Sequence, residues 1–335
     1  MKFDAAIPPT SLREIPQLVR AAEEIGFDVL WVAETQHDPF LPLWLVAEHS
    51  QRLNFGTAVA IGFARSPATL AYTAWDLSQA SSGRFILGLG TQVRAHIERR
   101  FGMPWPQSPV GKLRELVGAL RALWSTWQTG KKLNFRGNYF NLSLMSPFFD
   151  PGPIEHPEIP IYLAGVNKGL CRLAGEVADG FHVHPFHSEC YLREVVHPAI
   201  AEGAVRADRS AKDINVSVSV MTADNYDLAD FVRSQIAFYA STPSYRPVMT
   251  HHGWGEVADQ LGELARRQQW GEMPGLINEE MLEIFAVIAP EDELAGALRA
   301  RYADFVDRLT IYLPFQPGVM GSFWSRMVAD MREGS

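Results

Sequence analysis

The sequence predicts an α/β protein folded as a (β/α)8 TIM barrel with insertions, and three observations carry that prediction. Short apolar runs begin near residues 3, 28, 54 and 84, the roughly 25- to 30-residue spacing of one βα unit. Stretches of helical periodicity lie between them. Four later apolar runs raise the strand count to eight, the number that closes such a barrel. A doubly wound open sheet shares the alternation and is the structural rival.

Phe3 to Ile7 reads as the first strand. Ser11-Leu12-Arg13-Glu14 offers a capping box, and Ile15, Leu18, Val19, Ala22 and Ile25 follow at helical spacing, with Pro16 in the first turn and Gly26 as terminator. Asp28 to Ala33 is an apolar run after its first residue, as in a parallel strand buried on both faces. A helix near Pro42 to Arg52, a strand from Asn54 to Ala60, a helix from Ser66 to Ser82 and a strand from Arg84 to Gly90 continue the pattern. Pro160 to Ala164, Gly180 to His184, Ile214 to Val220 and Asp307 to Leu313 supply the remaining strands. Helices are expected over Gly169 to Ala178, Tyr191 to Ala207, Asp227 to Tyr239 and Gly321 to Met331. Two stretches exceed a minimal barrel. The first, about 130–159, holds a hairpin over Lys132 to Leu142 turning at Gly137-Asn138, then a connector spaced by prolines. The second spans about 241–290. Residues 1–335 are thus expected to form one barrel domain whose insertions shape a pocket.

Composition narrows the function classes. Hydrophobic residues make up 47% and charged residues 20%, ordinary for a globular chain. The net charge of −8 argues against broad contact with a phosphate backbone, so no nucleic-acid partner is expected. Cys171 and Cys190 are the only cysteines, too few for a disulfide framework or a paired-cysteine metal motif, which suits a reducing compartment. Asp4 and the early prolines fit no signal peptide, and no apolar run approaches the roughly 20 residues that span a bilayer. The expectation is a cytoplasmic enzyme acting on a small-molecule substrate, with no membrane partner.

In such a barrel, chemistry sits at the C-terminal ends of the strands. After the second strand, Glu34-Thr35-Gln36-His37-Asp38 places a carboxylate, an amide and an imidazole together, and histidine exchanges protons near neutral pH. A polar loop pairing a basic neighbour reads equally well. After the third strand, Gly56-Thr57-Ala58-Val59-Ala60 is a plain packed strand or a surface that a flat ring can approach. Gly88-Leu89-Gly90-Thr91-Gln92-Val93 invites a dinucleotide fingerprint, but Val93 replaces its third glycine and the position is wrong, so a Rossmann site is rejected. Gly165-Val166-Asn167 opens a helix containing Arg172, an arrangement suited to phosphate or to an ordinary βα turn. His182 and His184 lie two apart, on one face of a strand, where imidazoles can share zinc; no carboxylate spacing enforces it, and His184 reads better as a pocket wall, so no metal is assigned.

Taken in order, several segments resemble the luciferase-like monooxygenase superfamily, bacterial luciferase-like barrels that use flavin or deazaflavin. They are Ala22 to Glu34 running into His37-Asp38-Pro39-Phe40, Gly56 to Val59 with Arg65-Ser66-Pro67, Ser82 to Gly90, Ile161 to Gly165, and Ala174 to Phe181. The loop Glu34 to Phe40 and the late Asp307-Arg308-Leu309-Thr310 resemble the branch dependent on coenzyme F420, a deazaflavin hydride carrier. That resemblance implies a non-prolyl cis peptide at Ala58-Val59 backing the cofactor ring, with Gly90, Thr91 and Gln92 at the ring's edge. It implies Gly165, Val166 and Asn167 at the cofactor phosphate, and Glu34 and His37 beside the redox centre. Thr35 and Gln36 separate an acid and a histidine that are adjacent in many members. Val93 replaces an acid found in sugar-phosphate members, so that substrate is not expected.

The activity implied is hydride transfer between coenzyme F420 and a small organic substrate, with His37 handling the proton and Glu34 orienting it or the cofactor. Trp31, Phe40, Trp44, Phe63, Trp105, Phe148 and Phe149 are candidate pocket material or ordinary packing. The alternatives are an FMN-dependent monooxygenase on the same barrel and, from another class, a metal-dependent hydrolase using His182 and His184. A homodimer is expected by resemblance.

Overall fold

The computed structural model describes residues 1–226 and 229–333. Eight parallel strands form a closed ring: β1 (Lys2–Ala6), β2 (Val29–Val32), β3 (Asn54–Thr57), β4 (Phe85–Gly90), β5 (Ile161–Gly165), β6 (Gly180–Val183), β7 (Asn215–Ala223) and β8 (Arg308–Ile311). β8 pairs with β1, setting Phe3 opposite Leu309, and with β7, setting Val218 opposite Leu309. That closure between the first and last strands rules out the open sheet.

Helices fill the outside where periodicity placed them: Ile15–Ile25, Phe40–His49, Pro67–Ala80, Lys168–Val177, His197–Arg206, Asp230–Ala240 and Gly321–Glu333. A π-helical turn, Leu192–Val196, precedes the fifth of these. Residues 227 and 228, where the helix over Asp227 to Tyr239 was expected to begin, lie outside the described residues. Gly26 ends the first helix at φ 96°, as expected. The capping box does not form: the helix starts at Ile15, Ser11 Oγ accepts from the Arg13 N–H, and the Glu14 carboxylate takes the Thr10 hydroxyl instead. Among the described residues, two helices of more than eight residues were not anticipated. Pro109–Thr129 is capped by Ser108, whose Oγ accepts from the Gly111 N–H, and is ended by Gly130 at φ 70°. Leu294–Tyr302 leads into β8. The hairpin forms between Phe135–Arg136 and Asn141–Leu142. Within 241–290 lie the helices Arg246–His251, Gly255–Arg266 and Glu279–Phe285, then a short strand, Ala286–Ile288, beside β7.

Alternation along each strand sorts side chains outward to the helices or inward to the barrel. On β2, Leu30 joins the large outer core, while Val29 and Trp31 meet Ile86 and Tyr162 inside. The interior also holds a buried ion pair. Arg308 on β8 donates through Nε and Nη2 to the two oxygens of Asp4 on β1, both at 2.8 Å, and Trp31 Nε1 donates to Asp4 Oδ2 at 2.9 Å. Both charged groups are almost wholly buried, and each finds its partner and its hydrogen bonds within the barrel.

Candidate active site

A cavity of about 780 Å³ opens at the C-terminal ends of the strands. Its walls come from the segment after β1, the loop after β2, Ala58-Val59, the ends of β5 and β6, and the segments around β7 and β8. That size encloses a whole cofactor-sized ring system.

One wall is an irregular piece of backbone. β3 stops at Thr57, the Ala58–Val59 peptide is cis, and pairing with β4 resumes at Ala60–Ile61. Thr57 holds the break: its Oγ1 donates to Gly88 O at 2.6 Å and accepts from Gly88 N–H at 2.9 Å. The Ala58 N–H donates to Val32 O, and the Glu34 N–H donates to Val59 O. Gly90 packs beneath, where an added Cβ would lie 2.6 Å from Val59 Cγ2. Both Ala58 and Val59 face the cavity, and the cis bond falls where the resemblance implies.

The loop after β2 divides its polar residues between two tasks. The Glu34 carboxylate is nearly buried and does not line the cavity. Its Oε2 accepts from the Ile61 N–H at 2.7 Å and from Arg65 Nη1 at 2.5 Å, and Arg65 Nη2 reaches Asp38 Oδ2 at 2.9 Å. Burial alone would lower the pKa of Arg65; the two carboxylates more than offset it and hold the guanidinium charged. Glu34 thereby braces the chain that follows the cis peptide, at Val59, Ile61 and Arg65. His37 lines the cavity instead, exposed, with no protein hydrogen bond to its imidazole among the described residues.

At β5, Gly165 lines the cavity and Val166 is buried. Asn167 is the N-cap of Lys168–Val177 but makes no side-chain cap; its Nδ2 donates to Ser244 O at 2.9 Å and its buried Oδ1 has no partner. Uncapped N–H groups at a helix start, beside Lys168, suit an anionic group such as a cofactor phosphate. Gly90, Thr91 and Gln92 stand just outside the cavity lining: Gln92 adopts φ 58° and its Oε1 accepts the Val93 N–H.

The two histidines of β6 and its following turn form part of the wall. His182 stands edge-on to Trp31, and its buried Nε2 has no partner. His184 stacks on Tyr245 with 4.1 Å between ring centroids, and its Nδ1 accepts the Phe186 N–H. Burial lowers the pKa of both to about 3, so they are neutral near pH 7. Among the described residues, the one group of three metal-type ligands is Cys190, Glu194 and His251, toward the surface, and it includes neither. Of the seven aromatic candidates only Trp31 reaches the cavity; Phe40 and Phe63 pack in the outer core, Trp105 packs half-buried against it, and Trp44, Phe148 and Phe149 are exposed elsewhere. Sequence reasoning missed Gln235, Thr310 and Tyr312 as polar lining. The last two belong to β8 and its exit, so the strand-end rule was the signal that could have found them.

The sequence profile described as luciferase-like monooxygenase matches residues 2–308. The chain is 46% identical over 315 residues to an uncharacterised protein of Mycobacterium tuberculosis, covering 92% of both. It is 26% identical over 309 residues to 5,10-methylenetetrahydromethanopterin reductase of Methanolobus tindarius, covering 90% of this chain and 89% of that one. Among solved structures, the coenzyme F420-dependent tetrahydromethanopterin reductase from Methanopyrus kandleri superposes with a TM-score of 0.80 at 22% identity, over 99% of each chain.

Proposed function

The chain belongs to the luciferase-like monooxygenase family, oxidoreductase barrels related to flavin and deazaflavin enzymes, and within it we propose an F420-dependent oxidoreductase that passes a hydride between the deazaflavin and a small organic substrate. The observation that carries the reading is that the cis Ala58–Val59 peptide and His37, whose imidazole has no hydrogen-bond partner among the described residues, line the same cavity. The similarity to methylenetetrahydromethanopterin reductases, one of them a coenzyme F420-dependent enzyme of known structure, supports deazaflavin over FMN.

When bound, the deazaflavin supplies a ring carbon that gives or accepts a hydride. The backbone at Ala58 and Val59 would back the ring. The start of the Lys168–Val177 helix, at Gly165, Val166 and Asn167, would hold the phosphate, and Gly90, Thr91 and Gln92 would stand at the ring's edge, with Gly90 packed beneath Val59. His37 takes or returns the proton that accompanies the hydride, at an imidazole nitrogen. Glu34 is a positioning residue, acting through Ile61 and Arg65 on the shape of that wall. Apolar lining excludes water, so rate comes from orientation in a dry site.

Titration of the purified protein with coenzyme F420 and, separately, FMN, followed by fluorescence, tests the reading. Micromolar or tighter binding of F420 with much weaker FMN is expected. The reverse preference makes it an FMN-dependent monooxygenase, and binding of neither removes the redox assignment.

A further inference from the structure

A second cluster of reactive side chains lies outside the cavity, on the turn that follows β6. Ser188 caps the short helix Glu189–Tyr191, its Oγ accepting the Tyr191 N–H, and the π-helical turn Leu192–Val196 carries the chain on. Cys190 and Glu194 are four residues apart here, a spacing that brings helical side chains together. His251 meets them from the other direction, as the last residue of the inserted helix Arg246–His251. Its Nε2 lies 3.4 Å from Cys190 Sγ and 3.2 Å from Glu194 Oε2, and the three ligand atoms fall within 4.8 Å of one another.

Hydrogen bonding accounts poorly for that convergence. An imidazole nitrogen carries at most one proton, so one of the two contacts at Nε2 is left without a good partner. Nor is this a nucleophile–base–orienter chain, which needs the carboxylate on the far ring nitrogen. A metal ion explains both contacts at once. Around tetrahedral zinc, with bonds of about 2.0–2.3 Å, ligand atoms stand roughly 3.3–3.6 Å apart. The two edges at Nε2 are close to that spacing. Charge agrees, because a thiolate and a carboxylate balance a divalent cation while the imidazole stays neutral. Sulfur and imidazole nitrogen favour zinc over magnesium and calcium, which take oxygen ligands. Tyr191 and His252 stand edge-on to the His251 ring, each at 5.3 Å between centroids, and fix its direction. Cys190 and Glu194 are exposed, so an ion can enter and water can complete its coordination.

The same place joins two distant segments. His252 Nε2 meets Ser188 Oγ at 2.7 Å, beside the Cys190–His251 contact. The inserted segment also reaches the cavity wall, where Tyr245 stacks on His184 and Ser244 O accepts from Asn167 Nδ2.

We infer that Cys190, Glu194 and His251 bind one zinc ion, with water as the fourth ligand, and that the ion fastens the inserted helix Arg246–His251 to the turn after β6. The site is independent of the cofactor and of the reaction at the cavity.

The test uses the tag-free full chain, reduced and stripped of metal, with zinc added at neutral pH against a chromophoric chelator. One zinc per chain, bound at micromolar concentration or below, is expected. Cobalt(II) in its place should give a thiolate-to-metal charge-transfer band in the near ultraviolet and the strong visible bands of four-coordination. Cys190→Ser, at an exposed position, removes the charge-transfer band. Cys190→Ser, Glu194→Gln and His251→Gln each weaken zinc at least about ten-fold, with circular dichroism unchanged, whereas Glu189→Gln leaves the affinity as it was. Hydrogen exchange over residues 241–252 should slow when zinc is added to the parent chain and not when it is added to Cys190→Ser. Absence of zinc binding, an affinity untouched by Cys190→Ser, or a cobalt spectrum without the thiolate band overturns the site. Zinc held by the three residues with exchange over 241–252 unaltered overturns its fastening role.

Discussion

His37 and Glu34 sit three residues apart in one loop and end in opposite circumstances. His37 meets the cavity with a free imidazole, whereas Glu34 is enclosed by Ile61 and Arg65. His37→Ala is expected to lower kcat by about a hundred-fold or more, with F420 affinity by fluorescence titration nearly unchanged. His182, His184 and His187 make a second residue-scale prediction, because burial holds them at about 3, 3 and 4 against 6.5 when unfolded. The unfolded chain binds these protons first. Stability that is complete above about pH 6.5 is therefore lost as pH falls toward about 3. Urea midpoints measured between about pH 7 and 4 should decline accordingly, and His184→Gln should flatten the slope by up to about 1.4 kcal/mol per pH unit within that window.

Between β3 and β4, glycine is demanded by neighbours rather than by turn geometry. An added Cβ at Gly88 would lie 1.8 Å from Thr57 O, and one at Gly90 2.6 Å from Val59 Cγ2. Gly90→Ala is expected to cost about 1–3 kcal/mol by denaturant unfolding and to weaken F420 binding, since Val59 must move and Val59 lines the cavity. Gly296, within the helix Leu294–Tyr302, has nothing within 4 Å of its added Cβ. Gly296→Ala should raise stability by up to about 1 kcal/mol in the same measurement. The strands were legible because each is a short apolar run, and most helices because of their periodic faces. Pro109–Thr129 was missed although Ser108, Pro109 and Gly130 mark both its ends. Ser11-Leu12-Arg13-Glu14 misled in the other direction, since its spacing matches a capping box but the chain does not enter the helix until Ile15.

At the scale of the whole molecule, ring closure rests on the pairing of β1 with β8, and the Asp4–Arg308 pair spans that seam from inside. Arg308→Met leaves the Asp4 carboxylate buried without its counter-ion and is expected to cost about 3–5 kcal/mol in urea unfolding. Combining it with Asp4→Leu should recover most of that loss, because the desolvated charge is gone. Neither residue was marked by its local sequence as a partner of the other, being 304 positions apart.

The sequence by itself determined the eight-strand alternation, the family resemblance and the placing of His37 and the Ala58–Val59 peptide at the chemical end of the barrel. Periodicity and strand-end position are local properties, written in consecutive residues. Only the tertiary structure decided which polar groups face the cavity and which are spent as supports. Glu34 turned to Arg65, six of the seven aromatic candidates went to the core or the surface, and Thr310 and Tyr312 came in from the last strand. Those outcomes depend on which side chains strand register and ring closure bring into contact, and contacts between distant segments leave no periodic mark on the sequence of either one.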